Sequence, residues 1–262
     1  MKRGRLFFSL TLLVALNAAP TFADDVAQQL ASVVVDRFDD ANQRVWNEGQ
    51  IDSTEDRQWV VVGSKFAAKE GDVQYPRLAY VDSWPDALFG TNPNKLALKS
   101  LGVYAKFDRK GFNFYEVYPT KKDATGAVVP YGMPLPGIAK TIDIWVWGQN
   151  YNTTFEIHVR DYRGIPYVLK GGSLQFTGWK NVQIPIPASI PQTQPYLPHY
   201  QPLKLTKIVV RTDPEERVDG FYVYFDQFKV LTDMHQNPYD GRTLMDSDFI
   251  SKYWSSNQTQ GK

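Results

Sequence analysis

Apolar and polar residues alternate with a period of two along much of the chain between residues 100 and 230. The alternation is clearest in Leu101–Phe107, Ile142–Trp147 and Phe155–Arg160. Successive side chains of a β-strand point to opposite faces of its sheet, so each run predicts a strand with one buried face. Helical periodicity is scarce by comparison, and the pattern indicates an all-β protein.

Short groups of turn-forming residues separate these runs. Gly148–Asn150 and Asp161–Gly164 each stand between two alternating segments, as do Asp108–Gly111. The last of these groups is followed by Phe112–Val117, and the two runs around it predict a β-hairpin. About ten short strands with short turns favour two packed antiparallel sheets in a jelly-roll-like sandwich, the architecture of carbohydrate-binding modules.

Three segments depart from a minimal sandwich. Asp24–Val35 begins with helix-forming residues and ends in strand-forming ones, which predicts a short helical or extended N-terminal segment. Lys121–Pro136 is rich in Gly and Pro and is predicted to protrude as a loop. Pro185–Pro202 is dense in proline, which favours extended structure outside a sheet ladder.

The N-terminus has the pattern of a cleavable export signal. Basic residues precede an apolar stretch over Leu6–Leu16, and Thr21-Phe22-Ala23 supplies the residues before a cut at Asp24. The apolar stretch is about half of the roughly 20 residues that span a bilayer. We therefore expect a signal peptide at residues 1–23, a sandwich domain at 24–235, a C-terminal tail at 236–262, and a periplasmic location.

Charge and cysteine content narrow the function classes further. The chain has a formal net charge of +1 and no cysteine, and removal of Lys2, Arg3 and Arg5 with the signal peptide leaves −2. A nearly neutral protein has little electrostatic attraction to nucleic acid, and no later stretch is apolar enough for membrane insertion. An exported chain without disulfides favours a bacterial envelope.

The residues give little support for catalysis. The three histidines, His158, His199 and His235, stand in no recognisable nucleophile or metal-ligand motif. Scattered carboxylates could serve glycoside hydrolysis, but the sequence does not give the separation that the mechanism needs. We expect no enzyme activity, no catalytic residue and no cofactor.

Acidic residues near the two ends of the sandwich are candidate ligands for a structural calcium ion. Asp36 opens the β region, and Asp226 lies in the last strand. Carboxylate oxygens at strand ends suit this hard cation. Solvated acids at strand edges explain the same pattern without a metal.

Aromatic residues give the strongest indication of a binding surface. Trp145 and Trp147 lie opposite the apolar face of their strand. In the same way, Tyr222 and Tyr224 lie opposite Phe221, Val223 and Phe225. Only one face of a strand in a two-layer sandwich meets the core. These four residues are therefore candidates for a partner interface or for sugar stacking, unless a loop or the C-terminal segment covers them.

Several segments, spread over nearly the whole chain, resemble the flagellar filament outer layer (sheath) proteins of spirochaetes, the FlaA family. The matching segments are Val34–Phe38, Trp59–Ser64, Leu101–Phe107, Leu174–Lys180, Phe225–Val230 and Asp246–Trp254. The resemblance implies a structural, non-enzymatic protein of the periplasmic flagellum. Its implied partners are the flagellin core and other sheath proteins, and its implied effects are on filament curvature, stiffness and motility. An extracytoplasmic carbohydrate-binding module is the alternative.

Overall fold

The computed structural model describes residues 30–39, 45–47, 50–52, 57–91, 98–192 and 202–234. The predicted signal peptide and C-terminal tail, residues 193–201 of the proline-rich segment, His199 and His235 lie outside these ranges. Within the described ranges, no helix is long and apolar enough to cross a bilayer.

The described residues are almost entirely β. The strands of the first half are β1 (Leu30–Asp36), β2 (Val45–Asn47), β3 (Gln50–Asp52), β4 (Arg57–Gly63), β5 (Lys69–Glu70), β6 (Val73–Gln74), β7 (Arg77–Val81), β8 (Ser100–Ala105) and β9 (Phe114–Lys122), with a four-residue helix, α1 (Asp86–Phe89), between β7 and β8. The strands of the second half are β10 (Val128–Pro130), β11 (Met133–Pro134), β12 (Ile138–Gln149), β13 (Thr153–Arg160), β14 (Pro166–Ser173), β15 (Thr177–Pro185), β16 (Lys204–Thr212) and β17 (Phe221–Asp233).

Two antiparallel sheets form the sandwich. Sheet 1 has the order β15-β12-β17-β8-β7, with β1 also paired to β17. Sheet 2 has the order β10-β9-β16-β13-β14, with β4 on β9 and β11 on β16. The predicted all-β, two-sheet antiparallel sandwich is confirmed.

The core lies between the sheets and contains the residues that the alternation marked as apolar. In sheet 1, Ile142, Ile144 and Val146 of β12 are fully buried, and in sheet 2 Ile157 and Val159 of β13 are as well. At roughly 25 cal/mol per Å² of apolar surface removed from water, such side chains contribute about 1.5–3 kcal/mol each. The chain has no cysteine and therefore no disulfides, and a core of this size can stabilise the sandwich without them.

The predicted hairpin across Asp108–Gly111 is wrong. β8 pairs with β7 and β17 in sheet 1, whereas β9 pairs with β4 and β16 in sheet 2. The chain crosses between the sheets here, and Phe107 before the crossing and Tyr115 after it both lie in the common core. Alternation assigned both strands correctly, but a turn-like sequence does not distinguish a hairpin from a crossing between sheets.

Three further segments are more ordered than the sequence predicted. Strand β1 already begins at Leu30, within the segment proposed as partly helical. The predicted loop 121–136 contains β10 and β11, of which β10 pairs with the end of β9. In the proline-rich segment, Gln192 donates from Nε2 to the Ala139 carbonyl oxygen and accepts from the Ala139 N–H, each at 2.8 Å.

Candidate functional site

The outer face of sheet 1 carries the four aromatic residues that the sequence proposed as an interface. Trp147 of β12 pairs across the ladder with Tyr224 of β17, and their rings make an edge-to-face contact with centroids 5.3 Å apart. Tyr222 stands two residues before Tyr224 on the same face, with the two rings nearly parallel and 6.4 Å apart. Trp145 stands two residues before Trp147 on the same face of β12, so the structure places all four on one face of sheet 1.

Two further aromatic residues extend this group. Trp179 of β15 pairs with Trp147, and Tyr104 of β8 pairs with Tyr222. The rings of Tyr104 and Tyr222 stack at 4.3 Å with 9° between their planes. We call Tyr104, Trp145, Trp147, Trp179, Tyr222 and Tyr224 the aromatic face. The alternation of the sequence could have identified these two residues as facing outward, because Tyr104 and Trp179 both fall on the polar side of their strands.

A hollow of about 150 Å³ lies at one side of the aromatic face. Gly102 and Ala79 form its floor, and Tyr104, Tyr222 and Tyr224 stand around it. A side chain at residue 102 would come within 2.8 Å of the Tyr224 ring, so glycine allows this ring to lie close to β8. Arg77 also lines the hollow and is exposed, and no described residue forms an ion pair or hydrogen bond with its guanidinium.

The outer face of sheet 2 has a different character, because several of its charges are paired with one another. Lys207 on β16 contacts Glu116 on β9 at 2.6 Å. Glu156 on β13 accepts a hydrogen bond from Arg211 at 3.0 Å and lies 3.1 Å from the His158 ring nitrogen. Burial acts to raise the pKa of Glu156, but these two partners outweigh it and the pKa is lowered. His158 is therefore part of a polar group on this face, in contact with Glu156.

The two calcium candidates lie in different surroundings. Asp36 at the end of β1 is buried and accepts hydrogen bonds from the Phe38 N–H and from Trp59 Nε1, both at 2.7 Å. Since Trp59 belongs to β4, this carboxylate connects the two sheets. Within the described ranges, no three His, Cys, Asp or Glu side chains are close enough to hold one metal ion.

Asp226 lies where β17 is irregular. The pairing shifts between Asp143–Lys229 and Trp145–Asp226, and Gln227 inside the bulge has a left-handed backbone with φ of 47°. The Asp226 side chain is 1% exposed, and its Oδ1 atom has no hydrogen-bond partner among the described residues. Burial, with smaller contributions from nearby Asp39 and Asp36, raises the pKa of Asp226 to about 8.

In the part of the chain that the structure describes, two other buried polar atoms beside Asp226 have no hydrogen-bond partner. One is the Nε1 donor of Trp145, the direct partner of Asp226 across the ladder. The other is the Oγ atom of Ser100, which stands one residue beyond the Leu101–Phe225 pair. Buried polar groups normally have partners, so three unpaired atoms on one row of the sheet mark this as a polar weak point of the fold.

The comparisons with known proteins decide the family. The family model described as flagellar filament outer layer protein FlaA matches residues 89–237. The chain belongs to the FlaA family of flagellar filament outer layer proteins. The matched range contains strands β8 to β17, and β1 to β7 precede it.

A curated relative and two solved structures add detail. A flagellar filament outer layer-like protein of Brachyspira hyodysenteriae is 32% identical over 139 residues, which are 53% of this chain and 60% of that protein. The chain thus matches about three fifths of that relative's length. Among solved structures, a β-sandwich carbohydrate-binding module has a TM-score of 0.40 at 12% identity, covering 66% of this chain and 56% of that one. A family 11 module of a Clostridium thermocellum cellulosomal cellulase has a TM-score of 0.36 at 11% identity, covering 66% and 87%.

Proposed function

We propose that this protein is a non-catalytic subunit of the outer layer of periplasmic flagellar filaments, exported by a signal peptide, and that it affects filament curvature, stiffness and motility. Its proposed partners are the flagellin core and other sheath proteins. The match of residues 89–237 to the family of filament outer layer proteins carries the proposal. A rigid sandwich with two chemically different faces suits a layer in which each subunit meets a neighbour on one side and solvent on the other.

Deletion of the gene in its host tests this proposal. The cells should still export flagellin and assemble filaments, but isolated filaments should lack this protein and differ from wild type in curvature and diameter. Complementation with the wild-type gene is the control. Filaments of unchanged composition, diameter and curvature would refute the proposal.

Carbohydrate binding is a second candidate because polar side chains border the aromatic face. Asn181 donates to Asp143 at 2.6 Å, and Gln183 donates to the other oxygen of the same carboxylate at 3.4 Å. Tryptophan beside amides and carboxylates is a combination that can bind sugars. The stacking of Tyr104 on Tyr222 argues against it, since these two rings cover each other's faces. Binding on a glycan array that is lost in Trp147→Ala would favour this candidate over the filament role.

The calcium site remains a proposal with Asp36 and Asp226 as its residues. The unpaired Oδ1 of Asp226 supports it, and the two hydrogen bonds already made by Asp36 weigh against it. Thermal unfolding in chelator and in millimolar calcium, with magnesium as the ionic control, tests it. A melting temperature that rises only with calcium supports the site, and equal melting temperatures would exclude it.

A further inference from the structure

The hollow on the aromatic face is an apolar site with one cationic group at its edge. Its lining consists mainly of Ala79, Gly102 and three tyrosine rings, and the charged group is Arg77. A volume of about 150 Å³ admits one large apolar side chain. Because a guanidinium pairs well with a carboxylate, the best occupant is an aromatic side chain with an acidic residue beside it.

The chain itself contains a segment of this chemistry. Residues 246–254 have the sequence Asp-Ser-Asp-Phe-Ile-Ser-Lys-Tyr-Trp, in which Phe249 directly follows Asp248. This segment lies outside the described residues. The match is one of charge as well as shape, since the carboxylate would meet Arg77 while the ring enters the hollow.

The length of the intervening chain allows this segment to reach the hollow. Strand β17 leads away from Tyr222 and ends at Asp233, a distance of about 35 Å at the usual rise per residue of a strand. The residues from 234 to 246 can span about 43 Å when extended, so they can return along the same sheet.

Part of the path between the end of β17 and the hollow is apolar and exposed. Leu231 on β17 is 39% exposed on the outer face, and its neighbours on β1, Val34 and Leu30, are 40% and 54% exposed. These three residues lie on the same face as Tyr222 and Tyr224. Exposed apolar surface of this extent on one sheet commonly marks a contact.

We propose that residues 246–254 dock across the outer face of sheet 1 of their own chain, with Phe249 in the hollow and Asp248 on Arg77. The inference does not depend on the filament role, because it concerns the isolated subunit. It predicts that the aromatic face is covered by the chain's own C-terminal segment, which a partner would have to displace before contacting that face.

Disulfide trapping tests the proposal cleanly because the chain has no cysteine of its own. Ala79→Cys on the floor of the hollow is combined with Ser247→Cys in the full-length chain. The matched control combines Ser247→Cys with Val62→Cys, which lies on β4 of sheet 2 and is 47% exposed. Under mild oxidation at low protein concentration, the first pair should form an intramolecular disulfide at least about tenfold faster than the control.

Three additional variants establish which contacts matter. Phe249→Ser in the Ala79→Cys, Ser247→Cys background should slow trapping at least about fivefold. Arg77→Glu should slow it as well, and Asp248→Arg added to Arg77→Glu should restore it. Equal rates for the two cysteine pairs, or no effect of Phe249→Ser, would overturn the proposal. Disulfides that form only between chains, at a rate that rises with concentration, would overturn it too and indicate a second copy as the occupant.

Discussion

Replacement of Asp226 by Asn should make the protein more stable at neutral and basic pH. The Asp226 side chain is 1% exposed, and no described residue forms a hydrogen bond with its Oδ1 atom. Burial in this position, close to Asp39 and Asp36, raises the pKa of Asp226 to about 8. An amide has nearly the shape of the protonated acid and carries no charge. The variant therefore keeps the packing and avoids the cost of ionising a buried carboxyl group.

The size of the effect follows from proton linkage. In the unfolded chain Asp226 has an ordinary pKa near 3.8, so between pH 4 and pH 8 only the folded protein retains the proton. The free energy of unfolding of the wild type then falls as the pH rises, by about 1.4 kcal/mol for each pH unit. Between pH 5 and pH 8 this amounts to at most about 4 kcal/mol from Asp226 alone. Asp226→Asn has no group that ionises at this position, so its free energy of unfolding does not fall with pH for this reason.

Urea unfolding of both proteins at pH 5, 6, 7 and 8, in the presence of a chelator, measures the difference. Other titrating groups affect both proteins equally, so the stability of Asp226→Asn relative to the wild type should increase steadily with pH. Asp108→Asn, which makes the same change at an exposed carboxylate, is the control. A difference for Asp226→Asn that does not grow with pH would refute the reasoning. A variant less stable than the wild type at pH 8 would mean that the folded protein stabilises the ionised carboxylate.

Three further substitutions test other parts of the structure. Trp59→Phe removes the indole donor to Asp36 and should lower the free energy of unfolding by about 2–3 kcal/mol in urea titrations. An unchanged urea midpoint would show that this hydrogen bond contributes little to stability. Asp161→Asn should destabilise the protein at pH 7, because hydrogen bonds from backbone N–H groups and Arg163 outweigh burial and lower the pKa of Asp161. The difference in stability from the wild type should shrink as the pH falls below about 4. A difference that stays constant with pH would contradict this assignment. Gly102→Ala places a methyl group against the Tyr224 ring and should cost about 1–2 kcal/mol in thermal unfolding, whereas full stability would show that the ring moves freely.

Much of the fold was predictable because alternation reports directly which side of a strand is buried. The runs around Ile142–Trp147 and Phe155–Arg160 became β12 and β13 with the expected faces inward. The pairing of the strands with one another could not be predicted from the alternation. Whether β8 and β9 form a hairpin depends on which sheet each strand joins, and that is decided by core contacts far apart in the sequence. A turn of four residues contains no information about those contacts.

The candidate site was predictable in its residue types and not in its geometry. Alternation placed Trp145, Trp147, Tyr222 and Tyr224 on outward faces, but their assembly into one surface required the pairing of β12 with β17. The hollow depends on Gly102, whose role appears only when Tyr224 is seen against it. The raised pKa of Asp226 likewise arises from burial under the β17 bulge, which leaves no periodic pattern in the sequence.

The contrast between the two outer faces has a consequence for assembly. On sheet 2, Glu116, Glu156, Lys207 and Arg211 neutralise one another within the subunit. A neighbour that covered this face would remove paired charges from water for little gain. The aromatic face of sheet 1 offers rings with few polar atoms, so covering it costs less and removes more apolar surface from water. A layer subunit of this design should meet its partner through sheet 1, after the partner has displaced the C-terminal segment, and expose sheet 2 to solvent. Charge-reversing Lys207→Glu should therefore change the ionic surface of the filament and leave incorporation intact, whereas Trp147→Asp should reduce the amount of this protein that co-purifies with filaments.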